Sequence, residues 1–331
     1  MLNQRTINPG VQKVLHEVGQ RSITNIFLVA CGGSLAVMVP NKYFIDREAD
    51  QLVAHMYNAA EFTLLSPKTL SEHSLVILLS LTGTTPETTK AAEFAREKGA
   101  LTVGVTCDVE SPLGKAVEHA IFYENAFAGK EIDPFEGNFS IMYQLAAGVL
   151  DVVEEKSILP DMLRSLSDLQ TIIERSKAQY EEFLNRYAVA FQDEKVIYTM
   201  ASGANYGPAY SHAICNLMEM QWIHSHAIHA GEFFHGPFEI LDKEVPFILL
   251  KGLDHTRPLE ERAHAFLQRF GEKTMVVDAK EIDFHGVEEK MRGYLVPIIF
   301  NNLMWRFITI MAELRHHPVF TARRYMKKVD Y

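Results

Sequence analysis

Two sets of residues carry side chains suited to chemistry. The first is Ser80-Leu81-Thr82-Gly83-Thr84-Thr85-Pro86, with four hydroxyls, one glycine and no acidic side chain before Glu87. Hydroxyls and free backbone N–H groups at a helix N-terminus suit phosphate oxygens, because the helix dipole favours negative charge there. A polar turn with an ordinary N-cap at Thr84 or Thr85 is the alternative. The second set lies in the C-terminal half, where Glu219 sits between Met218 and Met220 in an otherwise apolar stretch. A carboxylate there either turns to solvent or serves as a general base or acid. His212, His224, His226, His229 and His235 crowd the same region, and His235 stands between Phe234 and Gly236-Pro237, which fix the backbone and present the imidazole. Acid-base work by Glu219 and His235 is the chemistry these residues offer; a solvated glutamate and a turn histidine are the plain alternatives. The His224-x-His226 spacing lacks a helical two-histidine-plus-glutamate pattern or a nearby cysteine, so no metal is expected.

The elements that would position these groups alternate between strand and helix. Val76 to Leu79 is an apolar run that reads as a strand buried on both faces. Pro86 suits the first position of a helix that runs to Lys98 and stops at Gly99. Asn25 to Cys31 is a second buried strand leading into the Cys31-Gly32-Gly33-Ser34 turn and a helix from Leu35 to Glu48. Leu52 to Met56, Thr102 to Thr106 and Ala120 to Tyr123 supply further strands, Phe139 to Glu155 a helix, and Val11 to Arg21 an amphipathic lead-in helix. Alternation of this kind predicts a parallel, doubly wound sheet of flavodoxin type.

The pattern then restarts. Gly32 pairs with Gly203 (203 − 32 = 171), Glu61-Phe62 with Glu232-Phe233 (232 − 61 = 171), and Val76 to Leu79 with Phe247 to Leu250 at the same offset. Thr102 to Thr106 pairs with Thr274 to Asp278 at 172. A constant offset across separate elements signals an internal duplication. The expectation is two tandem α/β domains, 1–160 and 191–331, joined by a linker helix at 161–190. The copies differ where polar groups matter, since Ser80-Leu81-Thr82 corresponds to Lys251-Gly252-Leu253. Phosphate binding is therefore expected from the first domain and chemistry from the second.

Composition narrows the class further. The chain has 331 residues, 47% hydrophobic and 22% charged, with a net charge of −10. That charge argues against nucleic acid or an anionic membrane as partner. Three scattered cysteines (Cys31, Cys107, Cys215) fit reduced thiols, and neither a secretory signal nor an apolar run long enough for a membrane helix is read, which predicts a cytoplasmic protein. Neither glycine turn carries G-x-G-x-x-G, so no nucleotide cofactor is expected.

The Cys31-Gly32-Gly33-Ser34 turn, the Ser80–Thr85 loop and the Gly231-Glu232…His235-Gly236-Pro237 motif resemble those of the sugar isomerase (SIS) domain proteins, as does the tandem arrangement. By resemblance to the isomerase half of glucosamine-6-phosphate synthase, phosphate contacts fall to Gly33, Ser34, Ser80, Thr82 and Thr85, and the catalytic pair to Glu219 and His235. A synthase lysine one turn before the glutamate is Asn216 here. The stretch Cys215 to Ser225, the segment Gly231 to Glu239 and the tail Arg323 to Tyr331 resemble the bacterial 6-phosphofructosyl-amino-acid deglycases over nearly the whole chain. That resemblance implies cleavage of 6-phosphorylated Amadori products to glucose 6-phosphate and an amino acid, without metal or cofactor. It further implies a homodimer whose site is shared, the histidine of one subunit completing the site of the other. Lys327 or Lys328 closes over the sugar by the same analogy, with a solvated basic tail as the alternative. An isomerase or deaminase acting on fructose 6-phosphate or glucosamine 6-phosphate, and a non-catalytic sugar-phosphate sensor, are the competing readings. The attached amino acid is not legible in the sequence.

Overall fold

A computed structural model describes residues 5–125, 131–326 and 328–330. The elements run, in order, α1 (Pro9–Val18), β1 (Asn25–Ala30), α2 (Gly32–Glu48), β2 (Val53–Asn58), α3 (Ala59–Leu65), β3 (Ser74–Leu79), α4 (Pro86–Glu97), β4 (Leu101–Thr106), α5 (Pro112–Ala116), β5 (His119–Phe122) and α6 (Asn138–Val153). Then follow α7 (Leu159–Ser167), α8 (Leu169–Phe191), β6 (Val196–Ala201), α9 (Tyr206–Ser211), a π-helix (His212–Met220), β7 (His224–His229), β8 (Phe247–Lys251), α10 (Arg257–Phe270), β9 (Thr274–Asp278) and α11 (Glu289–Leu314). The chain forms two compact units. The first runs to Gln170 and includes Gly286–Met291; the second comprises Thr171–His285 and the chain from Arg292. The stretch expected as one linker helix is two, α7 and α8, with Asp168 between them.

Each unit is built on one parallel sheet. The first has order β2-β1-β3-β4-β5 and the second β7-β6-β8-β9. Within both sheets every strand pair among the described residues is parallel. Strands β3, β4 and β8 are buried along their whole length, as apolar runs covered by helices on both faces must be.

The duplication extends to strand register. Phe27 lies opposite Val76 in the first sheet and Tyr198 opposite Phe247 in the second, so both partners are 171 residues from their counterparts (198 − 27, 247 − 76). The next pairing, Val76 with Thr102 against Phe247 with Thr274, carries the single-residue insertion that makes the offset 172. The buried cores repeat too. Val29, Ala59, Phe62, Val76, Leu78 and Ala92 in the first core match Met200, Ala230, Phe233, Phe247, Leu249 and Ala263 in the second, each 171 residues on.

α11 departs from the sequence expectation about apolar runs. It is long and apolar enough by length and composition to cross a membrane, yet it is largely buried within the fold, where a core helix needs that composition. Its first turn, Glu289–Met291, belongs to the first unit and the remainder to the second.

Candidate active site

In the first unit, β1 and β3 are neighbours and their ends lie in register, Ala30 opposite Leu79. The chain leaves β1 toward β2 on one side and leaves β3 toward β4 on the other. This is the switch point of a doubly wound sheet, where the two connections diverge and open a crevice at the carboxyl ends of the strands. The Cys31–Ser34 turn and the Ser80–Thr85 loop both sit at it. Each leads into a helix N-terminus without a side-chain cap, at Cys31 for α2 and Thr85 for α4. Two uncapped N-termini at one crevice supply unsatisfied N–H donors and two aligned dipoles.

The predicted phosphate residues fall into two groups there. Gly33 and Ser34 form the first turn of α2, partly exposed. Ser80 is buried, and its Oγ lies 3.1 Å from Thr85 Oγ1. Thr85 therefore spends its hydroxyl on Ser80 instead of capping α4. Thr82 is exposed and its Oγ1 is 2.7 Å from Thr84 Oγ1. Gly83 gives the loop its shape at φ +63°, and a Cβ there would stand 1.9 Å from Ser111 Oγ. Only glycine fits both conditions.

The equivalent crevice in the second unit is sealed by the chain's own carboxylates. Glu260 is fully buried. Its Oε1 accepts from the Ser202 N–H (3.0 Å) and hydroxyl (2.9 Å), and its Oε2 from the Gly252 N–H (2.6 Å). Burial, and then the charge of Asp254, push the Glu260 carboxyl up to about 7 against those hydrogen bonds. Asp254, the counterpart of Gly83, accepts from the Thr256 N–H at 2.8 Å and from Asn205 Nδ2 at 3.3 Å. Beside them Arg257 grips Asp278 with both Nη atoms (2.8 and 2.7 Å) and Lys251 adds a third contact at 3.0 Å. Burial raises the Asp278 carboxyl, but Arg257, the Lys280 N–H and Lys251 outweigh it and hold it far below the usual range.

Glu219 also lies in the second unit, in the last turn of the π-helix. The apolar spacing of Tyr210 to His224 predicts an α-helical face that groups Ile214, Leu217, Met218, Gln221 and Trp222. Instead Met218 and Trp222 are exposed, while the buried residues come in pairs, 212/213, 216/217 and 220/221. The i→i+5 bonding of a π-helix widens each turn and rotates Glu219 off the core, and such segments are frequent at functional sites. His212, wholly buried, is held neutral by that burial, with a pKa lowered to about 3, and its Nδ1 is 2.9 Å from Asn216 Nδ2. The Glu219 side chain is one-quarter exposed and receives Arg323 Nε and Nη2 on the same oxygen, Oε1, each at 2.9 Å.

His235 is exposed on the turn after β7, its N–H bonded to the Glu232 carbonyl. Gly236 follows at φ +130° with open space around it. Glu219 precedes β7 and His235 follows it, so the six residues of β7, about 20 Å long at the usual rise per residue, lie between them in the chain. Among the described residues no hydrogen bond or ion pair joins them. Lys328 is exposed and its Nζ donates to the Arg323 carbonyl. Lys327 lies outside the described residues. Among the described residues no three His, Cys, Asp or Glu side chains converge as a metal site requires, and the three cysteines are free.

Sequence reasoning missed Arg323, Asp254 and Glu260. Arg323 was visible only as part of a basic tail, 104 residues from its partner. The acidic pair had a usable signal: Asp254 stands at the position where the first copy needs Gly83.

A duplicated flavodoxin-type sheet with a hydroxyl-lined switch point in one copy defines a tandem SIS-domain protein, and residues 21–128 match the SIS domain. The fructosamine deglycase FrlB of Bacillus subtilis (strain 168) is 47% identical over 325 residues, 98% of each chain. A solved Bacillus subtilis structure with 47% identity superimposes at a TM-score of 0.96 over 98% of both chains. The fructoselysine 6-phosphate deglycase of Escherichia coli (strain K12) is 29% identical over 318 residues, 96% of this chain and 89% of that one. The chain belongs to this SIS-domain enzyme family, alongside proteins named as deglycases.

Proposed function

We propose that the protein hydrolyses 6-phosphorylated Amadori products to glucose 6-phosphate and a free amino acid. The observation that carries this reading is the pairing of one open anion cradle with one accessible carboxylate. The cradle at β1 and β3 has hydroxyls and two helix ends without a side-chain cap, and among the described residues no carboxylate bonds its loops as Glu260 and Asp254 do in the second unit. The counterpart cradle is closed by Glu260 and Asp254. Ser34, Ser80, Thr82 and Thr85, with the backbone at Gly33, hold the phosphate and so anchor C6.

An Amadori compound carries its amine on C1 beside a C2 ketone. After ring opening, Glu219 takes a proton from C1, a proton is delivered to C2, and the amine N–H proton passes to the C2 oxygen, which converts the ketoamine to a C1 imine bearing a C2 hydroxyl. Water adds to that imine and the C1–N bond breaks, so one water is consumed and the amine leaves with a proton. His235 opens the ring or protonates the departing group. Each such group contributes ~10²–10⁴-fold. The β7 separation supports a homodimer in which His235 of one copy serves Glu219 of the other. Exposed Met218, Trp222, Phe320, Tyr325 and Met326 in the same unit as Glu219 suit such a contact. Lys328 is a candidate to close over the sugar from the tail.

The test is glucose 6-phosphate release, measured by a coupled dehydrogenase assay, from fructoselysine 6-phosphate, α-fructosyl-amino-acid 6-phosphates, and fructose 6-phosphate with ammonia. Release from an Amadori substrate that disappears in Glu219→Gln supports the deglycase. Turnover of plain hexose phosphates alone would replace it with an isomerase; binding without any turnover would replace it with a sensor.

A further inference from the structure

We infer that Arg323 is a positioning residue for the general base: it fixes the Glu219 carboxylate by one oxygen and leaves the other free to take the substrate proton. The inference rests on Glu219 being that base. Its ground is the asymmetry of the contact. Arg323 Nε and Nη2 both reach Oε1 at 2.9 Å, and among the described residues nothing bonds Oε2. A side-on, bidentate pair would have engaged both oxygens and blocked the base.

The guanidinium is itself immobilised. Its Nη1 donates to the Val319 carbonyl at 2.7 Å and the Ala322 carbonyl at 3.0 Å, and the side chain is only 11% exposed. Val319 in turn packs with Met220 and Ala312, so the tail carrying Arg323 is tied to the residue after Glu219 and to α11. A carboxylate at the end of a wide π-turn has three free torsions, and holding it costs side-chain entropy. Arg323 supplies that restraint before substrate arrives, which is preorganisation.

Other ionisable groups on the elements packed there include Arg306 and Glu313 on α11, Arg315, His316, His317 and Arg324 on the tail, His212 on the π-helix, and His224 and His226 on β7. None bonds Glu219 among the described residues. Arg315 spends its Nη atoms on the Gln192 and Gln221 carbonyls. Arg324 lies over the Trp222 ring at 4.0 Å. Burial, then Arg315, Arg323 and Arg324, hold His317 below its usual range, so it adds no charge near neutrality. Among the described residues, Arg323 is therefore the one cation in direct contact with the base.

The test compares Arg323→Gln and Arg323→Lys with the native enzyme on the best Amadori substrate. Arg323→Gln is expected to lower kcat by about 10–100-fold, with KM changed less than about threefold. Arg323→Lys is expected to recover only part of kcat, since an ammonium lacks the fork that holds Oε1. Tryptophan emission confirms that each variant is folded. A Gln variant whose kcat stays within about threefold of native, a fall carried by KM instead of kcat, or a Lys variant no better than Gln overturns the inference. Glu219→Gln separates the two levels: if it stays active, the base assignment fails; if it is inactive while Arg323→Gln keeps the native kcat, only the role of Arg323 fails.

Discussion

Glu260 offers a quantitative test of how the second crevice is sealed. Its carboxyl is raised from 4.5 to about 7, first by burial and then by Asp254. Between those values the folded protein holds a proton that the unfolded chain has released. Stability therefore falls as pH rises through this window and levels off above about 7. At about 1.4 kcal/mol per pH unit, the span of 2.5 amounts to about 3 kcal/mol, most of it between pH 5 and 8. In Glu260→Gln the proton is absent and so is this slope. Other groups titrate oppositely, Asp278 and Asp161 among them, so the quantity to read is native minus variant at each pH. Urea unfolding followed by tryptophan emission isolates the right unit, because Trp222 and Trp305 are the chain's two tryptophans and both belong to the second unit. The native advantage over Glu260→Gln is expected to shrink by about 2–3 kcal/mol from pH 5 to pH 8. A separate, pH-independent offset of about 1–3 kcal/mol favours the native protein, since the Gln amide turns an N–H₂ toward either Ser202 or Gly252, both donors. A difference that stays constant across this range would refute the reasoning: the three donors would then outweigh burial and keep Glu260 ionised throughout.

Two further substitutions probe the two crevices. Gly83→Ala forces a left-handed backbone, costing about 1–2 kcal/mol, and drives its Cβ into Ser111, whose Oγ accepts from the Gly114 N–H at the start of α5. With about 1 kcal/mol for the disturbed cap, KM for sugar phosphate should rise roughly tenfold or more, and inorganic phosphate should weaken as an inhibitor in parallel; an unchanged KM would remove this loop from phosphate binding. Asp278→Asn leaves Arg257 and Lys251, both more than nine-tenths buried, without their shared anion. Unfolding of the second unit, read by tryptophan emission, should come about 3 kcal/mol easier, at the low end for a broken buried pair because Arg257 keeps Glu261 and the Gly252 carbonyl; a loss below about 1 kcal/mol would show the pair to be dispensable.

What could be read from the sequence was what local patterning determines. Apolar runs gave the strands, Pro86 and Gly99 the limits of α4, and the 171-residue offset the duplication, because register and core volume repeat with it. Three features resisted for identifiable reasons. The π-helix around Glu219 has the same residue types as an α-helix, and its extra residue per turn is set by packing against the tail and α11 and not by propensity. The Glu219–Arg323 contact joins residues 104 apart, so neither flank announces it. α11 is apolar enough for a bilayer because most of its apolar stretch is buried against protein, a distinction composition cannot make.

The sealed crevice also explains why one duplicated backbone serves two purposes. At the switch point the two copies offer the same strand ends and the same helix start, since Pro86 and Arg257 begin α4 and α10 at an offset of 171 (257 − 86). In the first copy Gly83 and Thr89 stand where Asp254 and Glu260 do in the second (254 − 83 = 260 − 89 = 171). In the second, Ser202 and Gly252 give their N–H groups to Glu260, and the α10 end is taken by Asp254. A phosphate entering the second crevice would have to displace two carboxylates and lose the hydrogen bonds they satisfy, while meeting like charge at close range. The second unit has thus exchanged ligand binding for internal satisfaction of the same donors. On the proposed reading, this leaves the reaction to its other end, where Glu219 stands before β7.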